Sequence, residues 1–442
     1  MELFKYEFRR SLKKPVTILI IALIFFLGMS MFNEMKYFND KIKYNREIKD
    51  SYNTTGPGKE LHEKVKQLYV EQGKLNEVNL MDAMTTYAEM AIDNYDSGNF
   101  QEALKNEIIE NMLFARWVCD NEKKDKILRD NIKEIWNELL PEMNYDTFTI
   151  SENLDGSPPI EISALKQTTI DIKYKYDLYS KNSRYIDNYS LNNVTFTYNM
   201  IDKYFPFILT IFIALTTFNC ISDEYRTGVV KNIATQGMRR NRYYLTMIFA
   251  NFLSAVIVII STMVVLNLIV GFLAGFQSLD TPILSHKNQW NNITTKAMDL
   301  ERSYLKYGNR VYLGPTEVNY DELSTILFED YKLITFKTFL VEVTGVYLLF
   351  GFFITALTVF ISSIFADNIK ALIVLVILMG IGYFTAYMSP SIFNVFSTSR
   401  VTQIITGSSN LTLLGSFIVL GISTLITVFV GLTYFRRKDI TY

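Results

Sequence analysis

The sequence predicts an all-α membrane protein with six transmembrane helices and a large, mainly helical extracellular insertion after the first helix. Three observations carry this. Apolar residues make up 49% of the 442 positions, and they gather in long runs separated by strongly polar sequence. Six of those runs approach or exceed the roughly 20 residues that a spanning helix needs where no water can satisfy its backbone. Lys and Arg cluster in alternate connections, as a six-span topology with both ends in the cytoplasm requires.

Taken in order, residues 1–15 are predicted to form a cytoplasmic interfacial helix. Met1, Phe4, Phe8 and Leu12 share one helical face. Lys5, Arg9, Arg10 and Lys13 flank it and can snorkel to the headgroups of the membrane lipid. The first span is 16–33. Lys13 and Lys14 before it suggest a signal peptide, but Phe32-Asn33-Glu34-Met35 is no small-x-small cleavage site, so a retained helix is expected. Residues 34–203 form the extracellular insertion. Residues 204–276 hold spans two (204–221) and three (243–276), joined by a cytoplasmic loop, 222–242. Pro206 falls in the first turn of span two, where proline is tolerated. Span three would be about 50 Å long, so it must project, tilt or bend. Residues 277–342 are a second extracellular segment. Spans four (343–365), five (371–388) and six (411–435) follow, with a short outer loop at 389–410 and a cytoplasmic tail at 436–442.

The basic clusters test the count. Lys5, Arg9, Arg10, Lys13 and Lys14 precede span one; Arg226, Lys231, Arg239, Arg240 and Arg242 lie between spans two and three; Arg436, Arg437 and Lys438 follow span six. Five or seven spans would put basic clusters on both faces.

The insertion carries 22 Lys or Arg against 30 Asp or Glu, a net −8. Leu61, Val65, Leu68 and Tyr69 recur at helical spacing, with a break in the pattern expected at Gly73. Helices are also expected over 100–118 and from Ile127 to a stop at Pro141, with Ser157-Pro158-Pro159 a stiff break. Residues 161–180 read as helix or strand, because Ile170, Ile172, Tyr174 and Tyr176 alternate. The insertion is either a receptor or lid that handles substrate, or a folded spacer that shields the pore.

The 222–242 loop is the most informative stretch. Ser222 can cap a short helix with Asp223 and Glu224 in its first turn and Gly237 at its end. Val229, Val230 and Ile233 would give it an apolar patch, with Arg226 and Lys231 off that patch. It is either a rigid docking knob or a connector whose charges simply obey the positive-inside rule.

The loop's pattern, Glu224-Tyr225-x-x-Gly228-x-x-Lys231-Asn232-Ile233 followed by Gly237-x-x-Arg240-x-x-x-Tyr244-Leu245, resembles the intracellular loop of the ABC-2 type permeases. Phe4-Lys5-Tyr6-Glu7-Phe8-Arg9-Arg10 before span one and Tyr434-Phe435-Arg436-Arg437-Lys438-Asp439-Ile440 at the end are similar to that family too. The family commonly has a lysine after the Tyr-Leu step, where this chain has Thr246-Met247, so no role of that lysine transfers. The resemblance implies a permease subunit that pairs with a second permease, identical or homologous. Each docks an ABC ATP-binding subunit, which holds the ATP and Mg. It further implies ATP-driven export of a peptide, an antibiotic or another amphiphile from a bacterial cell. ATPase coupling would fall to Asp223, Glu224, Tyr225, Arg226, Gly228, Lys231, Arg239 and Arg240, together with the N-terminal helix.

Other chemistry finds little material. Gly58-Lys59 and Gly73-Lys74 are followed by Glu and Leu, so no phosphate-binding loop is present and ATP hydrolysis belongs on a separate chain. With two histidines, His62 and His286, and no CxxC pair, neither a metal site nor acid–base catalysis is expected, and no cofactor. Cys119 and Cys220 suggest no disulfide framework. A net charge of −1 gives no field for nucleic acid. Proton- or sodium-coupled carriers need polar sites in mid-span, and these runs lack them; Glu342 is expected at the edge of span four. Gly271 and Gly275 would let a neighbouring helix approach. The alternative function is a non-pumping membrane receptor or immunity protein that binds an extracellular ligand through 34–203.

Overall fold

The computed structural model describes residues 2–54, 57–119, 121–147, 162–183, 190–228, 239–291, 313–314, 331–409 and 411–438. Among them, six helices are long and apolar enough to cross a membrane: Pro15–Tyr37, Phe205–Arg226, Arg240–Ala274, Phe336–Ile364, Asn368–Met388 and Leu413–Arg437. Spans two and four bury 67% and 61% of their apolar windows, and the other four between 22% and 33%. The second and fourth therefore form the centre, and the rest turn apolar faces outward. Arg10, Lys438 and the two flanks of the connection between spans two and three, at Glu224 and Arg240, meet at one end of the bundle, the terminal end.

Hydropathy locates where these helices cross, but polar side chains locate where they begin. Span four starts at Phe336, well before its apolar run, because Thr335 Oγ1 accepts from the Thr338 amide at 3.2 Å. Asp367 caps span five, and Thr412 caps span six. Each such cap stabilises by about 1 kcal/mol. Span one continues as a single helix from Pro15 to Thr54. No glycine or proline interrupts the polar stretch after 33, so the helix leaves the apolar zone intact and stops only before Gly56-Pro57.

The helices that follow match the periodicity. Pro57–Glu71 and Leu75–Asp96 are separated at Gly73, whose φ of 71° is a left-handed conformation that suits glycine. Phe100–Trp117 and Glu122–Leu139 come next, the latter capped by Asn121. The segment left open between helix and strand is a helix, Ile162–Ser180. Leu165, Thr169 and Ile172 are buried on one helical face, and Tyr174 and Leu178, four residues apart, on another, so burial follows the helical period and not the local alternation. Trp136 and Tyr145 meet edge to face at 5.4 Å in the core of this region. The Ser157-Pro158-Pro159 break lies outside the described residues.

Three features depart from expectation. First, Pro282–His286 and Tyr331–Thr335 form an antiparallel pair, with Leu284 opposite Leu333. Neither segment can show its partner from sequence alone. Second, the outer loop expected at 389–410 is, over 389–409, more than a connection. It contains a 3-10 helix, Val395–Ser399, and a short helix, Val401–Ile405, in which Phe396, Val401, Ile404 and Ile405 are buried. A Cβ at Gly382 would lie 2.3 Å from the Phe396 ring, so this packing requires glycine there. Third, Gly271 and Gly275 serve a local turn. A Cβ at Gly271 would collide with the ring of Phe276, and Gly275 ends span three with a φ of 105°. Glu342 lies inside the span-four helix and accepts from Gln289 Nε2 at 2.9 Å and Trp290 Nε1 at 3.2 Å.

Candidate functional site

The residues singled out in the 222–242 loop converge, in part, on a polar knot at the terminal end. Its base is the close of span two. The helix Phe205–Thr217 gives way to a turn and then to a short helix, Ser222–Arg226. The sequence suggests a helix from Ser222 to Gly237, but it stops here. Gly228 adopts a φ of 72° and ends it. Ser222 does not cap this helix. Its hydroxyl donates to Asn368 Oδ1 at 2.5 Å, and its amide donates to Ser362 Oγ at 3.1 Å. Val229, Val230, Lys231, Ile233 and Gly237 lie outside the described residues.

Asp223 joins three elements. Its carboxylate accepts from Asn219 Nδ2 at 2.8 Å, Asn368 Nδ2 at 2.5 Å and Arg226 Nη2 at 3.2 Å. The Arg226 side chain is otherwise 71% exposed. Glu224, only 2% exposed, points the other way. Its Oε1 accepts from Arg10 Nη1 at 2.7 Å, and its Oε2 has no partner among the described residues. Arg10 is shared with Glu7 at 3.4 Å, so one guanidinium serves two buried carboxylates. Burial pushes the Glu7 carboxyl above its ordinary range, against the pull of Arg10 and Lys14.

This geometry turns the N-terminal helix, Glu2–Leu12, differently from the sequence reading. Its buried positions are Glu7 and Ser11. Ser11 accepts from Ser254 of span three at 2.8 Å. Lys14, just beyond the helix, reaches the Thr216 carbonyl and Asn219 Oδ1, the latter at 2.9 Å, and burial lowers its pKa. Phe4 and Phe8 stack at 6.1 Å and, with Leu12, stay half-buried, while Lys5 and Arg9 are exposed. Arg10, expected on the lipid flank, is committed inward. The physical reason is that unpaired carboxylates cost far more than half-covered phenyl rings at a membrane boundary.

The chain's end closes the knot. Lys438 Nζ sits 4.3 Å from the centre of the Tyr225 ring and donates to the Ser363 and Ile364 carbonyls at 2.7 and 3.0 Å. It thereby satisfies the last carbonyls of span four. Arg240 donates to the carbonyls of Arg436 and Lys438, both at 3.0 Å. Arg239 stands just ahead of span three. Tyr243 and Tyr244 pack on Phe435 at 6.0 and 5.6 Å. A Cβ at Gly431 would lie 2.0 Å from the Tyr244 oxygen.

The knot can transmit force. Asp223 and Ser222 tie span two to spans four and five; Glu224 ties it to the N-terminal helix; Arg240 and Tyr244 tie span three to span six. Asn219, Ser362 and Asn368 were not singled out by sequence, and Glu7, Lys14 and Lys438 stood there only in a family-like pattern or a basic cluster, with no part in this site. One signal was available: Glu7, Arg10, Ser11 and Lys14 form a second stripe at helical spacing, opposite the phenylalanines.

A family model described as ABC-2 family transporter protein matches residues 1–440. No curated protein and no solved structure matches the chain.

Proposed function

The chain belongs to the ABC-2 transporter family, as a membrane subunit of an ABC transporter, and from that premise we propose that it forms the pathway for ATP-driven export. ATP and Mg are held by a separate ATP-binding subunit, and a second permease completes the complex. The terminal end faces the cytoplasm and residues 34–203 face outward. Asp223, Glu224, Tyr225, Arg226, Gly228, Lys231, Arg239 and Arg240 receive the motion of the ATPase. Phe4, Phe8, Arg9 and Leu12 ride on the inner leaflet.

The observation that carries this reading is the knot itself. A displacement at Asp223 or Glu224 acts at once on the N-terminal helix and on spans two, four and five. An amphiphilic substrate agrees with a cavity of about 400 Å³ between spans two, three and four, whose lining includes Phe205, Leu209, Ile259, Met263 and Val343.

The test is purification of the full chain from its own membrane in mild detergent, with mass spectrometry of what accompanies it, then reconstitution with those partners. An ATP-binding subunit and ATP-dependent efflux of amphiphiles are expected. A chain that arrives with no ATP-binding subunit, and binds an external ligand through 34–203, would mean a receptor instead.

A further inference from the structure

The cavity of about 400 Å³ between spans two, three and four has no carboxylate, amine, guanidinium or imidazole among its described lining residues. Its wall follows span three from Val256 to Leu268, about 18 Å of helix. Ile260, Val264, Leu268 and Leu348 are exposed at its edge, so it opens sideways, toward the lipid. The one phenol in the lining, Tyr347, is already engaged: it donates to the Ser399 carbonyl at 3.0 Å.

A single amide in this wall is half met. Asn267 sits in span three between Leu266 and Leu268, about 10 Å short of the helix end at Ala274. Both protons of its amide are used. Nδ2 donates to the Asn193 carbonyl at 3.2 Å and to Thr197 Oγ1 at 2.6 Å, both on the short helix Asn193–Lys203. These bonds fix the amide's orientation, since turning it would set Oδ1 against the Asn193 carbonyl oxygen. Oδ1 accepts from none of the described residues, and packing does not seal it off. An amide oxygen within an apolar run, where water is absent, costs free energy unless a donor reaches it.

We propose that this cavity binds an uncharged, single-chain amphiphile whose head carries a hydrogen-bond donor, a hydroxyl or an amide N–H. The donor meets Asn267 Oδ1, and the chain lies along span three toward Val256. A charged head would lose its water and find no counter-charge in the lining. About 400 Å³ spread along about 18 Å is a mean section of about 22 Å², which suits one extended hydrocarbon chain and not two. This deepens the export reading, on which it rests for calling the ligand a substrate; the binding itself needs no partner subunit.

The test is photolabelling of the full chain in phosphatidylcholine nanodiscs, with monomyristoylglycerol that carries a diazirine on its acyl chain. Labelled peptides are expected to map to Leu209, Met263 and their neighbours on spans two, three and four. Four competitors are compared at equal mole fraction in the bilayer: monomyristoylglycerol, methyl myristate, tetradecyltrimethylammonium and tetradecyl sulfate. The first should displace the probe at roughly one tenth of the concentration the others need, the factor that one hydrogen bond supplies. Asn267→Leu should keep the labelling but remove the preference over methyl myristate. Met263→Trp should fill the cavity and cut labelling severalfold, and Phe429→Leu, on the outward face of span six, should change nothing. Should Asn267→Leu fail to fold, the comparison with methyl myristate in the natural chain carries the same test. Reconstitution with the ATP-binding subunit separates the two readings: binding as stated, without ATP-dependent efflux of monomyristoylglycerol, keeps the site and removes its place in export. Equal displacement by all four competitors, or a preference that survives Asn267→Leu, would mean that the groove takes any hydrocarbon tail and overturns the proposal.

Discussion

Two buried arginine–carboxylate pairs, one in the insertion and one at the terminal end, use the same chemistry for opposite purposes. In the insertion, Asp125 takes Arg116 at 2.5 Å, Arg129 at 2.8 Å and the Tyr145 hydroxyl at 3.3 Å, and Arg116 lies 4.7 Å from the centre of the Tyr145 ring. Every donor comes from within 20 residues of its acceptor. At the terminal end, Arg10 reaches Glu224 across 214 residues of sequence, divides itself with Glu7, and leaves one Glu224 oxygen unmatched among the described residues. A local carboxylate with both oxygens met fixes one arrangement. A shared, unsaturated pair between distant elements sits nearer balance, so a modest force can exchange its partners.

The contrast breaks first at Arg116. Arg116→Ala should cost about 3–5 kcal/mol, because it strips a buried carboxylate of its main partner. Thermal unfolding of the full chain, followed by tryptophan fluorescence, would measure this. A loss below about 1 kcal/mol would erase the distinction drawn here.

Arg10→Ala should loosen the N-terminal helix by a smaller amount, about 2 kcal/mol, since the Arg10 side chain is 31% exposed and water offsets part of the loss. Amide exchange over residues 2–12 would rise while the insertion stays protected. The double variant Arg10→Ala/Glu224→Gln should recover part of the protection, because one of the two stranded carboxylates is gone. If the double variant exchanges as fast as the single one, the pair is an anchor and not a joint.

Gly228→Val should cost about 1–2 kcal/mol from its positive φ alone. Among the described residues no atom lies within 4 Å of a Cβ there. Expression and membrane insertion should persist while ATP-dependent efflux falls. Full efflux would place the coupling surface elsewhere, most simply on the N-terminal helix.

The smallest effect is the pH dependence of Glu7. Its folded pKa lies above the ordinary 4.5 because burial disfavours the charged form. Docking of the N-terminal helix is therefore weakest above the raised value and strengthens as the pH falls through it toward 4.5. Glu7→Gln should flatten that slope in exchange measured over residues 2–12. A slope of the opposite sign would mean that the ion pair with Arg10 outweighs desolvation.

Much of this architecture is legible in the sequence because the bilayer imposes a one-dimensional rule. A run of about 20 apolar residues must be a helix, whatever its neighbours are. The break at Gly73 and the helices of the insertion follow from local periodicity in the same way. The loop sequence likewise pointed to Asp223, Glu224, Tyr225 and Arg226, all of which enter the knot. It could not show what they bind. Asn368 meets Asp223 from 145 positions away, and Ser362 meets Ile221 from 141. Neither partner is distinctive as a residue type.

Sequence by itself thus determined the number of spans, the helical character and the family, because each is written in contiguous residues. The tertiary structure decided the rest. It chose which stripe of the N-terminal helix turns inward, because carboxylates at 7 and 224 compete for the one guanidinium at 10. It folded 389–409 into the bundle, because Phe396 fits only where Gly382 leaves room. It set Arg400 beside a cavity of about 240 Å³ between spans two and five, a placement that no linear pattern encodes.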